Sequence, residues 1–245
     1  MFADKTDKRS AVMPERHKPH SSSVLALFDL DHTILDIDSD HAWGEYLVKK
    51  GLVDEASYRT ANQAFYEQYV AGTLDATKYN EFVAQFLASL PLPELCRIRA
   101  DYLQSEILPH VRPQALNAMR WHQGQGHDVV IISATNDFVV SVIADAVGVS
   151  ADKVLATPLE ICNERYTGKL TDKPNFQTGK LYHLQKWLDT KAKKGITFDK
   201  TYAYSDSKND LPLLKWADVP VCITPDDVLQ AHALAHGWAV EDWSI

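Results

Sequence analysis

"VLALFDLDHTILDIDSDH", residues 24–41, begins as an unbroken apolar run and then turns acidic, with Asp29, Asp31, Asp36, Asp38 and Asp40 in close succession. An apolar run of this length suits a strand covered on both faces, as in a parallel sheet. Four further runs read the same way: "DVVIISAT" (128–135), "KVLATPLE" (153–160), "TYAYSDS" (201–207) and "VPVCITP" (219–225). Between them lie helical patterns over 113–125, 137–147, 178–190 and 209–217. Alternating strands and helices predict an α/β fold, a Rossmann-like parallel sheet with helices on both faces. "RYTGKLTD" alternates around a central glycine and predicts a small hairpin.

One stretch breaks the alternation. Residues 39–109 carry helical spacing and no convincing strand, with Leu90-Pro91 and Leu92-Pro93 as punctuation. This predicts an all-helical insertion between the first and second strands. Such an insertion would stand over the carboxyl edge of the sheet, where open α/β folds hold their ligand crevice. The domain expectation follows: 1–22 a flexible extension, 23–38 and 110–245 the core, and 39–109 the helical insertion.

Composition narrows the class. The 245 residues carry a net charge of −8, with no clustered basic face of the kind a nucleic-acid binder needs. Cys96, Cys162 and Cys222 are few, odd in number and widely spaced, which argues against a disulfide framework or zinc knuckle. The N-terminal "MFADKTDKRSAVMPERHKPHSSS" has no apolar core of signal-peptide type, and no run is long enough to span a membrane. The expectation is a cytoplasmic protein, a monomer or homodimer, with no nucleic-acid or membrane partner.

The acidic cluster begins where the first strand ends, "ISAT" closes the second, and "SDSKND" closes a later one. A parallel sheet would therefore gather Asp29, Asp31, Ser133 and Asp206 at one edge. Carboxylates so placed raise one another's pKa, and a hard divalent cation with oxygen ligands is their natural neutraliser, Mg²⁺ above all.

"DLDHT" resembles motif I, DxDxT, of the haloacid dehalogenase superfamily. "ISAT" resembles its motif II, "GKLYHL" the motif III lysine of the phosphoserine-phosphatase-like branch, and "SDSKNDLPLL" motif IV. The four motifs occur in order across residues 24 to about 225, and the helical insertion matches the cap of that branch. The resemblance implies a Mg²⁺-dependent phosphomonoesterase acting on a small phosphorylated metabolite. Asp29 would be the nucleophile that forms an aspartyl-phosphate, and Asp31 the acid and base. The side chains of Asp29 and Asp206, with the backbone carbonyl of Asp31, would hold Mg²⁺. Ser133, Ala134 and Lys180 would bind the phosphoryl group. Thr33, Asn209 and Asp210 would support them. Dehalogenases of the superfamily lack the second aspartate of motif I, so Asp31 points to phosphoryl transfer. Lys169 and Lys173 lie near Lys180, but Lys180 opens a helix whose N-terminus faces anions.

Two features bear on the substrate. Asp38 aligns with the acid that holds the substrate ammonium in phosphoserine phosphatases, and it is equally placed to cap the next helix. The arginine that those enzymes use for the substrate carboxylate has no counterpart in "YNEFVAQ"; Arg59 and Lys78 do not match it. The Gly-Gly after the motif II serine is replaced by Ala134-Thr135. An acid kept and an arginine lost would suit an amino-alcohol phosphate without a carboxylate, such as histidinol phosphate, over phosphoserine. A phosphotransferase and a non-catalytic phosphate-ligand binding protein are the alternatives. His232 and His236 have helical i,i+4 spacing but no carboxylate companion, and read as structural.

Overall fold

A computed structural model describes residues 23–71 and 73–244. The extension expected over residues 1–22 lies outside the described residues. In chain order the elements are β1 (Val24–Phe28), α1 (Ser39–Lys49), α2 (Glu55–Val70), α3 (Ala76–Ser89), α4 (Leu92–Tyr102) and α5 (Pro113–Gly124). There follow β2 (Asp128–Asn136), α6 (Asp137–Ala146), β3 (Val154–Thr157), β4 (Leu159–Cys162), β5 (Arg165–Leu170) and α7 (Thr178–Ala192). The chain ends with β6 (Lys200–Ser205), α8 (Leu211–Trp216), β7 (Val219–Ile223), α9 (Asp227–His236) and β8 (Ala239–Glu241).

Six strands form one parallel sheet in the order β3-β2-β1-β6-β7-β8. The order explains the apolar runs. Ala26 and Phe28 of β1 and Val129 and Ile131 of β2 face a core shared with α5 and α6. Their neighbours Leu25, Leu27, Val130 and Ile132 face a second core shared with α7, α8 and α9. Every residue of such a strand is buried on one face or the other, and each large apolar side chain contributes about 1.5–3 kcal/mol. From β1 the chain moves outward through β2 and β3, then returns to the other side through β6, β7 and β8. The reversal beside β1 is the switch point at which α/β sheets open a crevice.

The helices α1–α4 occupy the connection between β1 and β2. Local chemistry starts and stops them. Asp38 accepts from the backbone N–H of Asp40 and His41 to cap α1, and Asp75 does the same for Thr77 and Lys78 of α3. Pro91 precedes α4. Gly44 lets α1 meet Tyr58 of α2, because a Cβ there would strike the tyrosine ring. The segment is anchored by Trp43, fully buried, whose ring lies 5.0 Å from Tyr102 and 5.7 Å from Phe138 of α6.

Two expectations change. The strand expected over 153–160 breaks into β3 and β4 at Pro158, which has no N–H to give a sheet ladder. "RYTGKL" is one arm of an antiparallel hairpin whose other arm is β4, and the turn lies at Asn163 and Glu164, both with positive φ. Gly168 is therefore not the turn. It is where β5 lies against Ala84 and Ala88 of α3.

Candidate active site

The carboxyl ends of β1, β2 and β6 deliver Asp29, Ser133 and Asp206 to one edge of the sheet. Directly after β1 the chain turns through Leu30–Ile34, with His32 in the left-handed region at φ 55°. That turn points the two motif I aspartates in different directions. Asp29 Oδ1 accepts from Lys180 Nζ at 2.7 Å. Asp31 faces the helical segment, accepting from Ser39 N at 2.7 Å and Thr135 Oγ1 at 2.8 Å, with Ser133 Oγ at 3.4 Å.

Lys180 is 3% exposed and bridges Asp29 and Asp210, the latter at 2.6 Å. Lys169 and Lys173 are not in the cavity lining. Gly179 makes the placement possible: a Cβ there would collide with the carbonyl oxygen of Pro174, so only glycine lets α7 start this close. Asp210 is fixed in turn by Ser205 Oγ at 2.7 Å. Thr33 Oγ1 reaches Asp206 Oδ1 at 3.3 Å, and Asn209 Oδ1 accepts from Gln177 Nε2 at 3.2 Å. Ser133 is fully buried, and its Oγ accepts from Thr135 N at 3.0 Å. Ala134 lines the cavity beside them. The structure thus places Asp29, Asp31, Asp38, Ala134, Lys180, Asp206, Asn209 and Asp210 around one cavity, while Thr33 and Ser133 are fully buried next to it, bonded to Asp206 and Asp31.

Electrostatics follow from burial. Burial raises the Asp29 pKa; Lys180 pulls against it, and Asp210, Asp206 and Asp31 add to it. Burial and Asp38 raise Asp31, against hydrogen bonds from Ser39 and Thr135. Asp206 is pushed up to about 7, chiefly by burial. Burial alone would depress Lys180, but Asp210 and Asp29 raise it, so it remains a cation. Among the described residues no three His, Cys, Asp or Glu side chains form a ready-made metal cage. Asp29 and Asp206 stand together at the sheet edge, while the Asp31 side chain is engaged by Ser39 and Thr135. Crowded, desolvated oxygen donors of this kind fit a hard dication.

The cavity encloses about 780 Å³ between the sheet edge and α1–α3. Asp36, Asp38, Asp40, Glu45 and Glu106 also line it, with His32, His41 and His110, and with Phe65, Tyr66 and Tyr79 among the apolar walls. Lys180 is the sole Lys or Arg in the lining among the described residues. Arg59 is held by Glu45 and Glu55, and Lys78 lies by Asp75; neither lines the cavity. His232 and His236 stack on each other 4.0 Å apart in α9, far along the chain from the cavity lining.

Three contributors are not legible in the motifs. Thr135 occupies the position where the resemblance expects glycine, and its hydroxyl holds Asp31. Asn175, fully buried, donates from Nδ2 to Ser133 O and Leu155 O and so braces the end of β2. Asp40 is 7% exposed and faces the cavity from the first turn of α1.

A parallel sheet with two aspartates at its switch point, a buried lysine and a helical overhang is the arrangement of the haloacid dehalogenase-like hydrolases. The model of that family matches residues 26–215, and the chain belongs to it. It is 38% identical over 217 residues to the histidinol-phosphatase of Neisseria meningitidis serogroup C (strain 8013), covering 88% of this chain and 97% of the relative. A crystal structure of a protein of unknown function from Bordetella pertussis Tohama I superposes with a TM-score of 0.85 at 36% identity, covering 91% of this chain and all of that one. A substrate-bound phosphoserine phosphatase shares the fold, with a TM-score of 0.64 at 18% identity over 91% and 95% of the two chains. The protein is a phosphatase, a phosphomonoesterase for small phosphorylated metabolites. No described helix is long and apolar enough to cross a membrane.

Proposed function

We propose that this phosphatase hydrolyses the phosphate ester of an amino alcohol that carries no carboxylate, with histidinol phosphate the first candidate. One observation carries the reading: apart from Lys180, the described cavity lining offers carboxylates, aromatic rings and the imidazoles of His32, His41 and His110, and no Arg or Lys. A substrate carboxylate would find no Arg or Lys there to pair with and would face several carboxylates, whereas an ammonium or imidazolium would be attracted. The name of the Neisseria relative supports the same class.

The geometry supports the following steps. Asp29 attacks phosphorus, and an aspartyl-phosphate forms as the ester oxygen leaves. Asp31, turned toward the helical segment, gives its proton to that oxygen and then takes one from the hydrolytic water. Lys180 and the Ser133 hydroxyl, with the backbone at Ala134, stabilise the phosphoryl oxygens. Asp210 and Asn209 keep Lys180 and the motif IV loop in place, and Thr33 orients Asp206. Asp29, Asp206 and the backbone carbonyl of Asp31 would hold Mg²⁺, which supplies charge neutralisation at the phosphoryl group when bound. Residues 39–109 serve as the cap that covers the cavity and excludes water during transfer.

Phosphate release from histidinol phosphate, measured with Mg²⁺ and with EDTA in the wild type and in Asp29→Asn, tests this. Release that needs the metal and vanishes in Asp29→Asn is expected. Release that persists in Asp29→Asn would contradict the assignment.

A further inference from the structure

Asp38 is the acid that alignment offers for a substrate ammonium, yet its Oδ1 is already occupied by the N–H groups of Asp40 and His41 at the start of α1. Two other groups in the same cavity lining have acceptor capacity to spare. Asp40 is 7% exposed and has no cationic partner among the described residues. Its carboxylate takes a hydrogen bond from Tyr79 and a long one, 3.4 Å, from Asn136 Nδ2. A carboxylate has about four acceptor sites, so roughly half remain open. Burial pushes its pKa up to about 7, the cost of holding a charge there unpaired.

Asn80, 5% exposed, is the second group. Its Nδ2 donates to Ala76 O at 2.9 Å, while its buried Oδ1 has no partner. Turning the amide over would set oxygen against the Ala76 carbonyl, so the orphan is the acceptor. A buried unmet acceptor and a buried unmet carboxylate in the lining of one cavity make a deficit of donors. An ammonium or imidazolium supplies donors and no acceptor.

We infer that Asp40 and Asn80 form the subsite that reads the cationic N–H group of the substrate and sets the preference of the enzyme for amine-bearing esters. The place fits the chemistry. Asp31 accepts from the backbone of Ser39, the residue next to Asp40, so the subsite stands beside the acid that protonates the leaving oxygen. It would take an amine within a few bonds of the ester oxygen. Tyr79, whose ring packs edge-on against Phe65 at 5.4 Å, walls the subsite with aromatic surface that also favours a cation. This inference rests on the phosphatase reading above and deepens it.

The test is the ratio of kcat/KM for histidinol phosphate to that for p-nitrophenyl phosphate, whose organic part is uncharged, in the wild type, Asp40→Asn and Asn80→Leu. Thermal melts report which variants fold. A ratio that falls tenfold or more in each folded variant is expected, carried mainly by KM for histidinol phosphate. A structural role would lower both esters together and leave the ratio unchanged, and that result overturns the inference. If Asp40→Asn does not fold, Asn80→Leu decides on the same criterion. A wild type that does not favour histidinol phosphate at all overturns the substrate reading itself, which separates the two failures.

Discussion

The two ends of the cavity are both acidic and solve the problem of buried charge in opposite ways. At the sheet edge, Asp29 and Asp210 share Lys180 at 2.7 and 2.6 Å, and each partner is almost wholly buried. Beneath α1–α3, Asp40 is buried with no cation beside it among the described residues, and Asn80 leaves an acceptor unmet. The first end carries its own cation, Lys180, between two of its carboxylates. The second is incomplete, and a cationic ligand would complete it. On the proposed reading, chemistry comes from the strand ends and selectivity from the inserted helices.

The contrast can be broken most severely at the sheet edge. Asp29→Asn is expected to reduce phosphate release by at least about a thousandfold, since no other described group stands ready to attack phosphorus. Lys180→Met leaves two buried carboxylates without their cation. A loss of roughly 3–5 kcal/mol in chemical denaturation at neutral pH is expected, with activity falling alongside. A variant as stable as the wild type would show that the lysine bridge is not what holds that edge. Gly179→Ala forces α7 away from Pro174 and displaces Lys180. Steady-state kinetics should show kcat reduced about tenfold or more by such a displacement, with the fold retained.

Beneath the sheet, His122 tests whether acid sensitivity belongs to the cavity or to the core. It is fully buried, with Nε2 3.0 Å from Tyr204 Oη and Nδ1 2.8 Å from His127 Nδ1. Burial, then His127, lowers its pKa to about 4. A depressed folded-state value means stability present above the ordinary 6.5 and lost as pH falls toward 4. Denaturation of the wild type at pH 7 and pH 5 should differ by about 1–2 kcal/mol more than in His122→Gln.

The smallest effect sharpens the comparison at the other end. Asp38→Ala removes a helix cap and should cost about 1 kcal/mol, which Asp38→Ser restores. If Asp38 serves chiefly as a cap, Asp38→Ser keeps the preference for histidinol phosphate within about threefold. A collapse of preference in Asp38→Ser would move the cation subsite from Asp40 to Asp38.

The same contrast explains what the sequence showed. The sheet edge was legible because its residues are tied to strand ends: Asp29, Ser133 and Asp206 each follow an apolar run, and parallel strands bring such ends together. Lys180 was legible through the helix it opens. The selective end was not. Asp38 satisfied two readings in the sequence, and only the hydrogen bonds to Asp40 and His41 show its capping role. Asp40 and Asn80 lie on different helices, and no local pattern announces that α1 and α3 turn them into one cavity. Thr135 looked like a departure from a glycine motif, and it is a ligand of Asp31. The hairpin was legible, but its turn at Asn163 and Glu164 was not, because Gly168 serves instead where β5 lies against α3. Nor did the pattern single out α9 or the exposed edge strand β8, although Asp226 caps the helix and Gly237 ends it in the left-handed region.

The division of labour rests on selectivity, so the most direct measurement is kcat/KM for histidinol phosphate against phosphoserine, with Mg²⁺, in the wild type. A ratio of about a hundred or more in favour of histidinol phosphate is expected, because the cavity meets the amine with Asp40 and offers a carboxylate no Arg or Lys beyond Lys180. Parity, or a preference for phosphoserine, would contradict the account.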